Sequence, residues 1–259
     1  MRAGDILLLA IIAASLGAIA ADGATGGALQ AWAGEALPAL ASRAGIALGW
    51  IGWALSPLLF LPLLIAVWAG AGSPPGGLTR IMRGLVRAVE AVTVAVGDAA
   101  RWFALALVLV TATIVIQRYV FGYSSTKLQE SVIYLHALLF LLSAAATLLA
   151  GGHVRVDIIY SKLSERGRAW TDIAGAYLAL IPMCWLILIT SRGYVGGAWR
   201  VLERSRESDG LPLVFALKTA IPVFAVLLAM QGAAMAARAA LRLAGEREPS
   251  KPAAANAEL

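Results

Sequence analysis

Charged residues fall in clusters along this chain, and the stretches between the clusters are almost wholly apolar. A charge at the centre of a bilayer costs roughly 2.5–3.5 kcal/mol on insertion scales, so such clusters mark the ends of membrane spans. Four charge-free windows follow one another in the second two-thirds: Trp102–Gln117, Ser131–Gly152, Ile173–Ser191 and Thr219–Ala237. A helix needs roughly 17–25 residues to cross about 30 Å of hydrocarbon. The last three windows have that length, and the first reaches it with its flanks.

Two more apolar stretches precede these windows. Ala44–Thr79 holds no charge and carries Trp50, Trp53 and Trp68, amphipathic rings of the kind expected at membrane interfaces. It closes on a Gly-Ser-Pro-Pro-Gly-Gly breaker at 72–77. Ile6–Ala21 is short and reads two ways. It is a marginal span, or it is a signal peptide with Arg2 as n-region and Ala18-Ile19-Ala20 as the cleavage site. A retained helix is the preferred reading, because later spans can direct insertion themselves.

Thr79–Arg101 has the pattern of an amphipathic helix lying on the membrane or leading into it. Arg80, Arg83, Arg87 and Glu90 share one face, and Ile81, Leu85, Val89, Val92 and Val96 face away from it. The expected fold is therefore an all-α integral membrane protein. A four-helix transmembrane core with an amphipathic lead-in helix is preceded by one or two N-terminal transmembrane helices. The chain divides into a hydrophobic extension at 1–78, the core at 79–245 and a Pro- and Ala-containing tail at 246–259.

Basic residues orient the core. Twelve, among them Arg80, Arg83, Arg87, Arg101, Arg155 and Arg238, fall on the side of both core ends. Seven fall on the other: Arg118, Lys127, Arg192, Arg200, Arg204, Arg206 and Lys218. This bias places both ends of the core, and the loop His153–Arg168, in the cytoplasm.

Composition supports the same class. Of 259 residues, 60% are hydrophobic and 14% charged, against roughly 45–50% and 25% in soluble domains. Mean hydropathy is +0.81. A soluble globule, a disordered chain and a disulfide scaffold are excluded. The net charge of +6 is dispersed between apolar stretches, which favours cytoplasmic loops and anionic lipid over a nucleic-acid partner. Cys184 is the single cysteine and lies in an apolar run, where it reads as a small packing residue.

Chemistry is sparse. The four windows hold no Asp, Glu, Lys or Arg, and no pattern of broken helices repeats in two halves, so the chain is unlike a carrier acting alone. His136 and His153 bracket one span, about 25 Å apart along a helix, and cannot share a haem within the chain. No phosphate loop, metal spacing or nucleophile elbow is present. No catalytic, cofactor or metal residue is therefore expected, and the chain does not read as an enzyme.

The informative polar groups stand at span ends. Arg118-Tyr-Val-Phe-Gly122 closes the first window, and Glu130 opens the second. His153-Val-Arg155-Val-Asp157 follows the second, with Arg166-Gly-Arg-Ala-Trp170 downstream. Glu203-Arg-Ser205, Gly210-Leu-Pro212, Lys218 and Ile221-Pro222 precede or open the fourth. Taken singly, each is explained by interfacial snorkelling and helix capping. In this order and placement, from about Arg101 to Arg242, they resemble the small permease subunit of tripartite ATP-independent periplasmic (TRAP) transporters, the DctQ-type family. The last motif is similar to the mannitol/chloroaromatic-like subgroup. Two departures stand out: Gln129 occupies the first of two positions that are often both acidic in the family, and the first 78 residues lie outside its usual four helices.

The resemblance implies a non-catalytic, multi-pass subunit of the bacterial inner membrane. Such a subunit scaffolds a large DctM-type permease subunit, which moves an organic acid coupled to an ion and receives it from a periplasmic substrate-binding protein. It also implies that Arg118, Glu130, His153, Arg155, Asp157, Glu203 and Lys218 face a partner subunit. Two other readings remain at this point: a membrane anchor or accessory subunit of an electron-transfer complex, and a stand-alone carrier.

Overall fold

The computed structural model describes residues 2–72, 74–152, 160–250 and 252, and among these every regular element is helical. The helices are α1 (Ala3–Ala24), α2 (Ala28–Leu55), α3 (Leu61–Ala71), α4 (Gly76–Val120), α5 (Thr126–Ala150), α6 (Glu165–Gly175), α7 (Ile181–Arg200) and α8 (Val214–Leu243). Among the described residues, six helical stretches are long and apolar enough to cross a membrane, counting Ala28–Gly70 and Glu165–Arg200 as one each.

Proline explains the breaks inside those two. It has no N–H to give and fits most easily in a helix's first turn, although Pro38 and Pro222 lie inside α2 and α8. Pro57 and Pro62 sit at the starts of a 3-10 turn (Ser56–Phe60) and of α3. Pro182 opens α7, and the backbone ahead of it widens into a π turn over Ala176–Leu180. Such a turn removes the clash between the proline ring and the preceding turn.

The chain forms two compact units. The first comprises Met1–Trp50, Ala95–Ser143 and Thr190–Val223. In it, the start of α1 docks on α4. Gly4 approaches so closely that a Cβ would lie 2.3 Å from the Ala95 carbonyl oxygen and 2.7 Å from the Asp98 Cβ. Charges cross over on either side: Arg2 Nη1 donates to Asp98 at 2.9 Å, and Arg101 Nη2 and Trp102 Nε1 donate to Asp5 at 2.8 and 2.9 Å.

The second unit comprises Ile51–Val94, Ala144–Ile189 and Phe224–Leu259. Its core joins Ile65 and Ala66 of α3, Met82 and Val86 of α4, Ala169 and Ile173 of α6, and Ala236–Leu241 of α8. Arg238, within that α8 stretch, makes the polar contact described next. Small residues let helix backbones approach where lipid supplies no hydrophobic drive, and the alanines of α8 provide that surface. The same closeness recurs at Gly232, where a Cβ would meet Leu180.

The lead-in segment and the first core span form one continuous helix, α4. Its buried face differs from the one the sequence pattern indicates. Thr79, Met82, Val86, Glu90 and Thr93 turn inward, whereas Ile81 and Val92 are exposed. Glu90 leaves the arginine face and binds Arg238 of α8 through both carboxylate oxygens, at 2.6 and 2.7 Å. Their side chains are only 1% and 8% exposed. One turn further, Thr93 Oγ1 donates to Gln231 Oε1 at 3.1 Å. The physical reason is that exposed apolar residues are not penalised beside lipid, while a buried charge must find its partner.

Removing one member of a buried ion pair leaves an uncompensated charge, at a cost of about 3–5 kcal/mol. Glu90→Ala is expected to lower the thermal stability of the detergent-solubilised protein by that order. The double variant Glu90→Leu, Arg238→Met should recover most of the loss. Parallel melting curves check this.

Candidate functional site

The sequence singles out charged residues at helix ends, and several of them meet in the first unit. Glu130 stands in the second turn of α5 and reaches the loop between α7 and α8. Its carboxylate accepts hydrogen bonds from the Ser205 hydroxyl and from the Leu211 N–H, the latter at 2.6 Å. The loop closes on itself as well: Ser205 N donates to the Leu211 carbonyl at 3.1 Å, and Glu207 N to Ser205 Oγ at 3.1 Å. Gly210 fits inside this ring. A Cβ there would lie 2.3 Å from Ser205 Oγ and 2.8 Å from Glu130 Oε1, so only glycine has room. Outside it, Lys127 pairs with Asp209 at 2.7 Å, with both side chains more than half exposed. Such an exposed pair contributes about 1 kcal/mol or less.

Glu203 and Lys218 brace the other end of the loop. Lys218 Nζ donates to Glu203 at 2.5 Å and lies 3.9 Å from the centre of the Tyr194 ring, a cation–π contact. Trp199 Nε1 donates to Thr219 Oγ1 at 2.7 Å, and its ring meets Phe215 edge-on. Phe215 N donates to the Glu203 carbonyl. Glu130, Glu203 and Lys218 thus spend their polar atoms within the chain, holding the 203–213 loop to α5, α7 and α8.

Arg118 is different. It sits exposed in the last turn of α4, where a cation suits the helix dipole. It is flanked by Tyr119, Phe121 and Tyr123, all exposed. The helix ends there because the Tyr123 N–H turns back to the Gln117 carbonyl, 3.0 Å away. His153, Arg155 and Asp157 lie outside the described residues. Downstream of them, in the second unit, Arg168 donates to the carbonyls of Tyr160 and Ser161, and Ser164 caps α6 by accepting from Gly167 N. Asp172 accepts from the Tyr160 hydroxyl at 3.0 Å and from Arg242 at 2.9 Å.

No group of His, Cys, Asp or Glu among the described residues is arranged to hold a metal ion. His136 lies on α5 beside the Phe140 ring.

A comparison with protein families decides what kind of chain this is. Residues 107–242 match the family model for tripartite ATP-independent periplasmic transporters, DctQ component. That is just over half of the 259 residues. The chain belongs to the DctQ family. No curated protein and no solved structure matches it significantly. It is accordingly a multi-pass inner-membrane protein and a small permease subunit of a TRAP transporter. DctQ components work with a DctM component and a substrate-binding protein. The matched range contains Arg118, Glu130, His153, Arg155, Asp157, Glu203 and Lys218, and leaves α1–α3 outside it.

Sequence reasoning missed the Glu90–Arg238 pair. The available signal was an arginine isolated among alanines, Ala236-Ala-Arg-Ala-Ala240, a context that suits burial with a partner better than exposure.

Hydrogen bonds to a charged group are worth about 1.5–3 kcal/mol each. Glu130→Ala should therefore release the 203–213 loop without unfolding the helices, and Gly210→Ala should do the same by steric clash. Faster amide hydrogen exchange confined to this loop is the expected result.

Proposed function

We propose that this DctQ subunit is a rigid scaffold for a large DctM-type subunit, supporting ion-coupled uptake of an organic acid delivered by a periplasmic binding protein. The observation that carries this reading is the use made of the charges. The four apolar windows hold no Asp, Glu, Lys or Arg, and His136 lies near one end of its window; Glu130, Glu203 and Lys218 at the window ends brace the chain's own loop. Carriers and pumps usually keep ionisable residues within their spans for coupling ions or protons. Such groups then belong to the larger partner.

Within this reading, the seven candidate interface residues divide by role. Arg118, with Tyr119 and Phe121, is exposed and offers a cation and aromatic rings to a partner helix. Glu130, Glu203 and Lys218 act through the shape of the loop they hold. His153, Arg155 and Asp157 extend the proposed interface at the other end of α5. The contacts of Arg2, Gly4 and Asp5 with α4 support the reading in which the first helix is retained.

The subunit alone in ion-loaded liposomes should take up no organic acid. Addition of its large subunit and binding protein should restore uptake, and robust uptake by the small subunit alone would refute the scaffold role. The intact mass of the purified subunit should include α1.

The basic-residue bias places the α5–α6 loop in the cytoplasm and the α7–α8 loop in the periplasm. Cys184 is buried, so in a Cys184→Ala background a cysteine at Ser208 should react with an impermeant thiol reagent from the periplasmic side. A cysteine at Ser161 should not. The opposite pattern would invert the topology.

A further inference from the structure

Arginines converge at one place in the second unit that the scaffold role leaves unused. A recess of about 440 Å³ is lined by Arg83, Arg87, Arg247, Glu248, Pro249 and Ser250. Arg83 is half-buried and reaches Glu246 at 3.5 Å. Arg87 and Arg247 are exposed and form no ion pair among the described residues. The carboxylate in the lining, Glu248, is already shared by Arg238 at 3.3 Å and Arg242 at 3.5 Å. Among the described residues the recess therefore carries an excess of positive charge.

The recess is also held in shape. Arg238, fixed by Glu90, donates a further bond to the Pro249 carbonyl at 2.7 Å. Pro249 is buried, so the chain after α8 is pinned where Arg247 stands opposite the arginine face of α4. Guanidinium groups converging on one recess suit the oxygens of a phosphate group.

The neighbouring surface says which phosphate. Met82 and Val86, interleaved with Arg83 and Arg87 on α4, pack in one core with Ile65 and Ala66 of α3. The outer side of α3 exposes Leu64, Val67 and Trp68. Exposed aliphatic residues beside a tryptophan mark the level where acyl chains meet headgroups. Basic pockets at that level on the cytoplasmic side take anionic headgroups.

We propose that the Arg83–Arg87–Arg247 recess binds the phosphate of an anionic phospholipid headgroup, with the acyl chains along α3. Native mass spectrometry of the full chain in detergent, titrated with cardiolipin, phosphatidylglycerol or phosphatidylcholine, tests it. The parent should retain the two anionic lipids and not phosphatidylcholine. The double variant Arg87→Gln, Arg247→Gln should bind them roughly tenfold to thirtyfold more weakly, the scale expected for two basic residues at an anionic surface. Arg204→Gln, Arg206→Gln, on the α7–α8 loop, should bind like the parent. Both altered pairs are exposed, and an unchanged melting curve separates lost binding from lost fold.

A second arm titrates inorganic phosphate into delipidated protein. Weak displacement of lipid supports a lipid site. Tight phosphate binding that the Arg87/Arg247 variant loses, with no preference for anionic lipid, would reassign the recess to a soluble anion and overturn the lipid proposal. Equal retention of all three lipids, or an unaffected double variant, would overturn it as well.

Discussion

The carboxylate of Glu90 and the guanidinium of Arg238 leave solvent together, and much of the second unit follows from that pairing. Two parallel hydrogen bonds fix the rotation of this part of α4 about its axis. Met82 and Val86 then point to α3, α6 and α8, and Arg83 and Arg87 are left outside the core. The same guanidinium holds Pro249, and so sets the path of the chain after α8. Hydrophobic residues alone would not select this arrangement, because Ile81 or Val92 is nearly as comfortable beside lipid as in the interior. A buried ion pair has few alternatives, and this makes it the element that specifies the packing.

The first unit is organised by the same kind of constraint at a wetter level. Glu130 satisfies an amide and a hydroxyl of the 203–213 loop, and Gly210 leaves room for it to do so. Lys218 is shared between Glu203 and the Tyr194 ring. A loop tied at both ends presents one shape to a partner, and little ordering entropy remains to be lost on assembly. In the proposed scaffold role, that rigidity keeps one shape ready for the large subunit.

The hydrophobic segments were legible as helices because insertion energetics depend on composition and length, which a sequence states directly. The order of charged motifs at the span ends was enough to indicate the family, and the match over residues 107–242 agrees with it. The 45-residue length of α4 was less visible. The pattern at Thr79–Arg101 suggested a surface or lead-in helix, and only the structure shows that it continues unbroken into the span.

Composition and charge placement by themselves determined the solvent of this protein and the four apolar windows of its core, because both are set locally, by the cost of carrying charge into hydrocarbon, and the order of the charged motifs indicated its family. Tertiary structure decided which face of α4 is buried, that Glu90 belongs with Arg238, that Glu130 belongs with Ser205 and Leu211, and that three arginines share a recess. Those partners lie 148, 75 and 81 residues apart for the named bonds. Separation along the chain carries no trace of such meetings, and in lipid the hydrophobic pattern does not reveal the inward face. The buried polar groups do, once their partners are in place.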